Sequence, residues 1–176
     1  PTFYNKYEYM IGRGYQLVDL ETFYVGGKRN FIGVFRKGSG KQTIKLYRSF
    51  SSLASGWNSL GKEGYRLVDV EYYKEGTSYP TYVAVFGAGT YGHALHQNSS
   101  WGDFTSQWGS LMDKGYHLVD FEKFKTPSGT TKYLGIYKKA SGSYAFWHNT
   151  SWGFFNNKRV QHRNQGLNLV DYERFQ

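Results

Sequence analysis

Gly14-Tyr15-Gln16-Leu17-Val18-Asp19-Leu20-Glu21 recurs as Gly64-Tyr65-Arg66-Leu67-Val68-Asp69-Val70-Glu71 and as Gly115-Tyr116-His117-Leu118-Val119-Asp120-Phe121-Glu122. A fourth, weaker copy is Gly166-Leu167-Asn168-Leu169-Val170-Asp171-Tyr172-Glu173. The copies start 50, 51 and 51 residues apart. A fixed period of this length is the mark of a repeat architecture, in which each unit buries its apolar face against a neighbour. The segments around the motif repeat as well. Phe31-Ile32-Gly33-Val34-Phe35 returns as Tyr82-Val83-Ala84-Val85-Phe86 and Tyr133-Leu134-Gly135-Ile136-Tyr137. Third segments follow at 44–47, 94–98 and 145–149, each after a Gly-rich turn such as Gly38-Ser39-Gly40.

β-branched and aromatic residues between turn signals read as strands, so each unit is expected to hold three strands joined by two hairpins. The period then changes. Phe50, Leu53, Ala54, Trp57 and Leu60 follow helical spacing, as do Trp101, Phe104, Trp108 and Leu111. Each run is one apolar stripe of a short helix. Ser51, Ser99 and Ser100 are candidate N-caps, and Gly64 and Gly115 candidate terminators. The expected fold class is α+β and strand-dominated. About three and a half helix-plus-three-strand repeats, with roughly ten strands and four helices, would form one closed or half-closed antiparallel sheet, barrel- or propeller-like. All of 1–176 reads as one domain, with units at about 1–49, 50–100 and 101–151 and a partial unit at 152–176.

The motif set GYxLVDxE, Y-x-G-[VI]-[FY], Gly92-His93-Ala94-Leu95 and a helix of the form F/W-x6-W closing in GY resembles the bacterial tandem repeat domain family. The match covers essentially the whole chain. That family is similar to the repeat region attached to some serine-type hydrolases, including fungal polyglycine hydrolases, where the catalytic serine lies in a separate domain. The resemblance implies a repeat scaffold with a role in substrate or surface binding, and it transfers no catalytic residue.

Composition narrows the chemistry. The chain has 17 Tyr, 13 Phe and 5 Trp among 176 residues, which suits rigid, adhesive surfaces. It has no Cys, which removes disulfides, thiol catalysis and thiolate metal sites. A formal charge of +9 favours anionic partners or simply aids solubility. No apolar run reaches the length of a membrane span. The sequence opens at Pro1, which leaves a trimmed Met or a removed leader as the alternatives; a secreted location is preferred to a cytoplasmic one. Sequons at Asn98 and Asn149 would carry glycan only on a eukaryotic secretory route.

The paired carboxylates Asp19/Glu21, Asp69/Glu71, Asp120/Glu122 and Asp171/Glu173 lie two apart on strands, hence on one face. Four equal copies argue for a structural ladder, with Lys, Arg or Tyr hydroxyls as partners, over one active site. His93 and His96 have metal-like spacing without an evident third ligand, and no metal or cofactor is expected. Gly38-Ser39-Gly40-Lys41-Gln42-Thr43 resembles a phosphate loop but leads into a strand, so a hairpin turn is expected. Lys28, Arg29, Arg36, Lys37, Lys41, Lys45 and Arg48 form a basic cluster that would suit nucleic acid.

The segments joining the third strand to the next helix carry the most chemistry. They are His96-Gln97-Asn98-Ser99-Ser100-Trp101-Gly102-Asp103 and Trp147-His148-Asn149-Thr150-Ser151-Trp152. A Trp face packs on the apolar face of a sugar while Asn and His bond its hydroxyls. His96, Asn98, Trp101, Asp103, Trp147, His148, Asn149 and Trp152 are therefore the candidate ligand-binding residues. The favoured reading is a non-enzymatic, lectin-like protein that binds carbohydrate or glycoconjugate, one site per repeat. The alternatives are a small enzyme with a single site at a repeat junction, where His117 and His162 stand out, and a basic protein that binds nucleic acid or anionic surfaces.

Overall fold

The computed structural model describes residues 2–74, 80–148, 151–169 and 172. Along the chain the elements are α1 (Phe3–Gly12), β1 (Tyr15–Val25), β2 (Lys28–Lys37), β3 (Gln42–Tyr47), α2 (Phe50–Lys62), β4 (Tyr65–Tyr73), β5 (Thr81–Ala88), β6 (His93–Asn98), α3 (Trp101–Asp113), β7 (Tyr116–Lys125), β8 (Thr131–Lys139) and α4 (Trp152–Asn164). The fold is α+β and strand-dominated, as expected. Eight strands are formed among the described residues. The expected first strand of the partial unit falls largely outside them.

Each helix starts on a hydroxyl cap. The side chains of Thr2, Ser49, Ser100 and Ser151 accept from the backbone N–H three residues on, which satisfies a donor the helix leaves free. The cap of α2 is thus Ser49, not Ser51, because Ser49 and Ser52 close a reciprocal capping box. Each helix is followed by a glycine at positive φ, among them Gly64 at 83° and Gly115 at 77°, a conformation that costs glycine little.

The strands do not make one closed or half-closed sheet. They form three antiparallel sheets, β1-β2, β3-β5-β4 and β6-β8-β7, and no closed barrel is present among the described residues. The reason lies in the third segment of each unit. It does not turn back on its own second strand; it crosses to pair with the middle strand of the next unit, β3 with β5 and β6 with β8. Gly38–Thr43 is accordingly a crossover and not a hairpin turn. A side chain at one repeated position holds each crossing. The Gln16 amide donates to the carbonyls of Ser39 and Gly40 at 3.1 and 3.4 Å. Arg66 Nε donates to the Tyr91 carbonyl at 2.6 Å, and the His117 ring stacks on Tyr144 at 4.8 Å. The third segment of the third unit, 145–148, is not a strand, and no strand lies beside it among the described residues.

Successive sheets pack front to back. One core joins Leu53 of α2, the front of its own sheet (Leu67, Val70, Ala84, Phe86) and the back of the next (Leu95, Leu134, Ile136). The preceding core is built alike from Tyr7, Leu17, Leu20, Val83 and Val85. A bulge in the repeated motif makes this possible. The register slips between Leu17 and Asp19, Leu67 and Asp69, and Leu118 and Asp120, so Val18, Val68 and Val119 are extra residues. Without the slip, Leu67 and Val70 would point to opposite faces; with it, both reach the core.

The same slip turns the carboxylates toward the preceding unit. Asp69 Oδ2 accepts from Leu20 N–H at 2.6 Å, and Asp120 Oδ2 accepts from Val70 N–H at 2.9 Å. Glu71 Oε2 accepts from Thr22 N–H at 3.0 Å. Asp69, Glu71 and Asp120 thus meet backbone amides of the neighbouring repeat, a kind of partner that the residue types did not suggest. Burial pushes the Asp69 carboxyl well up, and the nearby Asp120 and Glu71 add to the rise. Burial, and then the adjacent Glu21, pushes Glu71 up to about 8; its carboxyl also shares a hydrogen bond with Glu122, which requires a proton on one of the two.

Two outcomes follow from this ladder. Asp69→Ala leaves the Leu20 amide buried without an acceptor and should cost about 1–3 kcal/mol in urea unfolding, whereas Asp69→Asn keeps an acceptor and costs less. Glu71 binds its proton more tightly folded than unfolded, so its contribution is fully present below the ordinary glutamate range and is lost as pH rises toward 8. The unfolding free energy from urea melts should fall by up to about 1.4 kcal/mol per pH unit across that window, and Glu71→Gln should flatten the slope.

Candidate functional site

The candidate residues lie where one unit passes into the next. On β6, Ala94, His96 and Asn98 share the face turned to α3. The His96 ring meets Tyr137 edge-on at 6.1 Å, and burial holds its pKa below the usual histidine range. His93, three residues back, faces the other way and rests on Trp57 at 4.6 Å. The pair is split across the strand, and among the described residues no group of three or more His, Asp or Glu side chains could hold a metal ion.

Asn98, Asp103, Ser106, Gln107 and Ser110 line a polar pocket of about 450 Å³ beside α3. Asn98 Oδ1 is buried there without a hydrogen-bond partner. Asp103 closes the helix start, with Ser100 Oγ donating to its carboxylate at 2.7 Å. One unit earlier the equivalent space is filled. Tyr47 stands where Asn98 does and Gly56 where Gln107 does, and a Cβ on Gly56 would run into the Tyr47 ring.

A larger groove, about 520 Å³ and open to solvent, lies between α3 and α4. Thr105, Trp108, Phe146, Trp147, His148, Ser151 and Phe154 line it. Although 145–148 is not a paired strand, its side chains alternate. Tyr144 and Phe146 face α3: the Trp108 indole donates to the Tyr144 hydroxyl at 3.3 Å and the Phe146 ring lies 5.5 Å from Trp108. Trp147 faces α4. Its indole N–H donates to His162 Nε2 at 2.6 Å, Lys158 Nζ sits 4.3 Å from its ring, and Phe154 meets it edge-on at 5.9 Å. The two sides are thus held by different helices, and the exposed rings converge on the space between.

Of the expected residues, Trp147 and His148 line this groove, and Asn98 and Asp103 line the polar pocket. Trp101 starts α3 and packs into the core against Phe104 at 5.4 Å, with His148 covering it at 4.4 Å. Trp152 contacts Phe155 and Tyr172. Asn149 lies outside the described residues. Thr105, Trp108, Ser151 and Phe154 were not anticipated; helical spacing assigned Trp108 to the core, and no local pattern relates it to Phe154. His117 and His162, the residues singled out for an enzyme, are engaged with Tyr144 and Trp147 respectively. In the basic cluster, Arg29 lies between the Tyr24 and Tyr73 rings at 4.3 and 4.0 Å, and Arg48 donates to Thr81 Oγ1.

Sheets stacked through a repeated bulged strand, each with a helix at its front, define a tandem-repeat scaffold. A family model for the polyglycine hydrolase-like structural repeat matches residues 2–38, 50–88 and 94–140, and the chain belongs to that family. Neither the comparison with curated proteins nor that with solved structures returned a significant match.

The packing difference between units is testable. Gly56→Ala must displace Tyr47 and should destabilise by about 1–3 kcal/mol. Gly109→Ala, on the open side of α3, should gain up to about 1 kcal/mol from helix propensity alone. Thermal unfolding of the two variants reads the contrast.

Proposed function

We propose that the protein is a non-enzymatic, lectin-like carbohydrate-binding repeat protein. One observation carries this reading: Trp108, Phe146, Trp147 and Phe154 border an open groove that also holds the His148 ring and the Ser151 hydroxyl. Aromatic faces pack against the C–H face of a pyranose, and the polar groups at the rim take its hydroxyls. A second, polar pocket at Asn98 and Asp103 lies one unit earlier, and Asp103 stands there where Phe154 stands in the groove. Tyr47 stands where Asn98 does and fills the equivalent of that polar pocket. Front-to-back stacking with inner strands side by side supports a propeller-like arrangement of the units.

A glycan array at moderate salt tests the proposal. Selective binding is expected, and Trp147→Ala should weaken it roughly tenfold, or ~1.4 kcal/mol. Trp152→Ala reports whether the site reaches the first turn of α4. Salt should matter little, because a neutral sugar displaces few counterions; binding only to sulfated glycans or nucleic acid, abolished by salt, would overturn the reading.

A further inference from the structure

Asp103, Ser106, Gln107 and Ser110 stand three and four residues apart, so they share one face of α3. Thr105 and Trp108, which line the groove at Trp147, lie on the opposite face. The polar pocket and the aromatic groove are therefore separate places on two sides of one helix. Their chemistry differs as well. Rings dominate the groove. Two amides, two hydroxyls and one carboxylate line the pocket, with no ring and no cation among the lining residues.

The repeat itself shows what shape of group such a place holds. Tyr47 and Asn98 end β3 and β6 and stand opposite Tyr82 and Tyr133 in the same register. On α2 the counterparts of Asp103, Ser106, Gln107 and Ser110 are Ser52, Ser55, Gly56 and Ser59. The Tyr47 phenol covers that face: its Cε1, Cζ and hydroxyl oxygen are the atoms nearest to where a Gly56 Cβ would stand. A six-membered ring bearing an oxygen thus lies on α2. On α3 the short Asn98 side chain brings no ring, and about 450 Å³ is left.

The acceptors fix the class of ligand. Asn98 Oδ1 is buried with no hydrogen-bond partner, a costly state that a donor relieves. Asp103 Oδ2 takes the Ser100 hydroxyl at 2.7 Å, which leaves Oδ1 for another donor. A carboxylate with no cation among its pocket neighbours favours a charged donor over a hydroxyl, because charge-assisted hydrogen bonds are the stronger kind. Gln107, in the place of Gly56, and the Ser106 and Ser110 hydroxyls can both donate and accept, as ring hydroxyls require. Resting on the carbohydrate reading above, we propose that this pocket is the site of an amino sugar. Its pyranose ring lies over the helix face that Tyr47 covers one unit earlier, its protonated amine donates to Asp103 and to Asn98 Oδ1, and its hydroxyls meet Gln107, Ser106 and Ser110. The chain then carries two dissimilar subsites, a stacking groove for a neutral ring and a hydrogen-bonding pocket for a cationic one.

Titration of the 176-residue chain with methyl glucosaminide, followed by proton–nitrogen NMR, tests this. The side-chain amide signals of Asn98 and Gln107 and the backbone amides of α3 should move and saturate. Methyl glucoside, a ring without the amine, and butylamine, an amine without the ring, should each bind roughly tenfold more weakly. Asp103→Asn should bring the affinity for the glucosaminide down to that for the glucoside. Asn98→Tyr/Gln107→Gly rebuilds the filled arrangement of α2; with its fold confirmed by circular dichroism, it should abolish the α3 response. Equal affinity for the three probes, unmoved Asn98 and Gln107 amides, or a response that survives in the filled variant would overturn the assignment. Any of these alongside glycan binding that still depends on Trp147 removes the amino sugar alone, whereas no sugar binding at either place removes the carbohydrate reading with it.

Discussion

The hydrogen bond from a backbone amide of one repeat to a buried aspartate of the next is the constraint around which this protein is organised. A carboxylate stripped of water is costly unless donors meet it. Here Asp69 and Asp120 find their donors in the main chain of the neighbouring unit, at Leu20 and Val70. The donor is a backbone group, so the side chain at that position is free to vary, and it does: Leu20 in one unit, Val70 in the next. The acceptor must reach a fixed point, so the aspartate recurs without change. The bulge at Val18, Val68 and Val119 turns the acid toward its donor while keeping the flanking apolar residues in the core. One irregularity per repeat thus serves packing and stitching together.

Gln42 extends the stitching. Its side-chain amide takes the N–H and the carbonyl of Leu17, at 2.9 and 2.8 Å, next to the bulge. That strand belongs to the second sheet, so neighbouring units are joined by polar contacts at two depths. Between them lie cores shared by adjacent sheets. The units depend on one another through side chains that each supplies to its neighbour, which is the nearest-neighbour logic of a repeat array.

Much of this was legible in the sequence. The period, the helix stripes at Leu53 and Phe104, the strand pairs and the terminating Gly64 and Gly115 follow from spacing and residue type alone. The destination of the third strand was not legible. Gln42–Tyr47 has the same strand pattern whether it pairs with β2 or β5, and the choice is made by contacts such as those of Gln16 and Arg66, which share no residue type. The site was half legible for a related reason. Trp147 and His148 sit in a loop whose composition stands out. Trp108 reads as one more ring in a helical stripe, and its edge reaches the groove only because Phe146 and Phe154 are brought beside it from two later segments. The partners of the acidic ladder were missed because backbone amides leave no trace in side-chain composition.

The crossing of each third strand also bears on how the chain assembles. The second sheet and its helix are drawn wholly from residues 42–88, and the third from 93–139, so each is a continuous stretch of chain. Contacts within a sheet are local, and those between sheets reach about one period further. Such topology favours rapid folding, because little loop entropy is lost before each contact forms. A chain emerging N-terminus first can complete one sheet, offer its inner-strand amides, and have the next sheet close on them as it appears. The order of synthesis and the order of docking coincide.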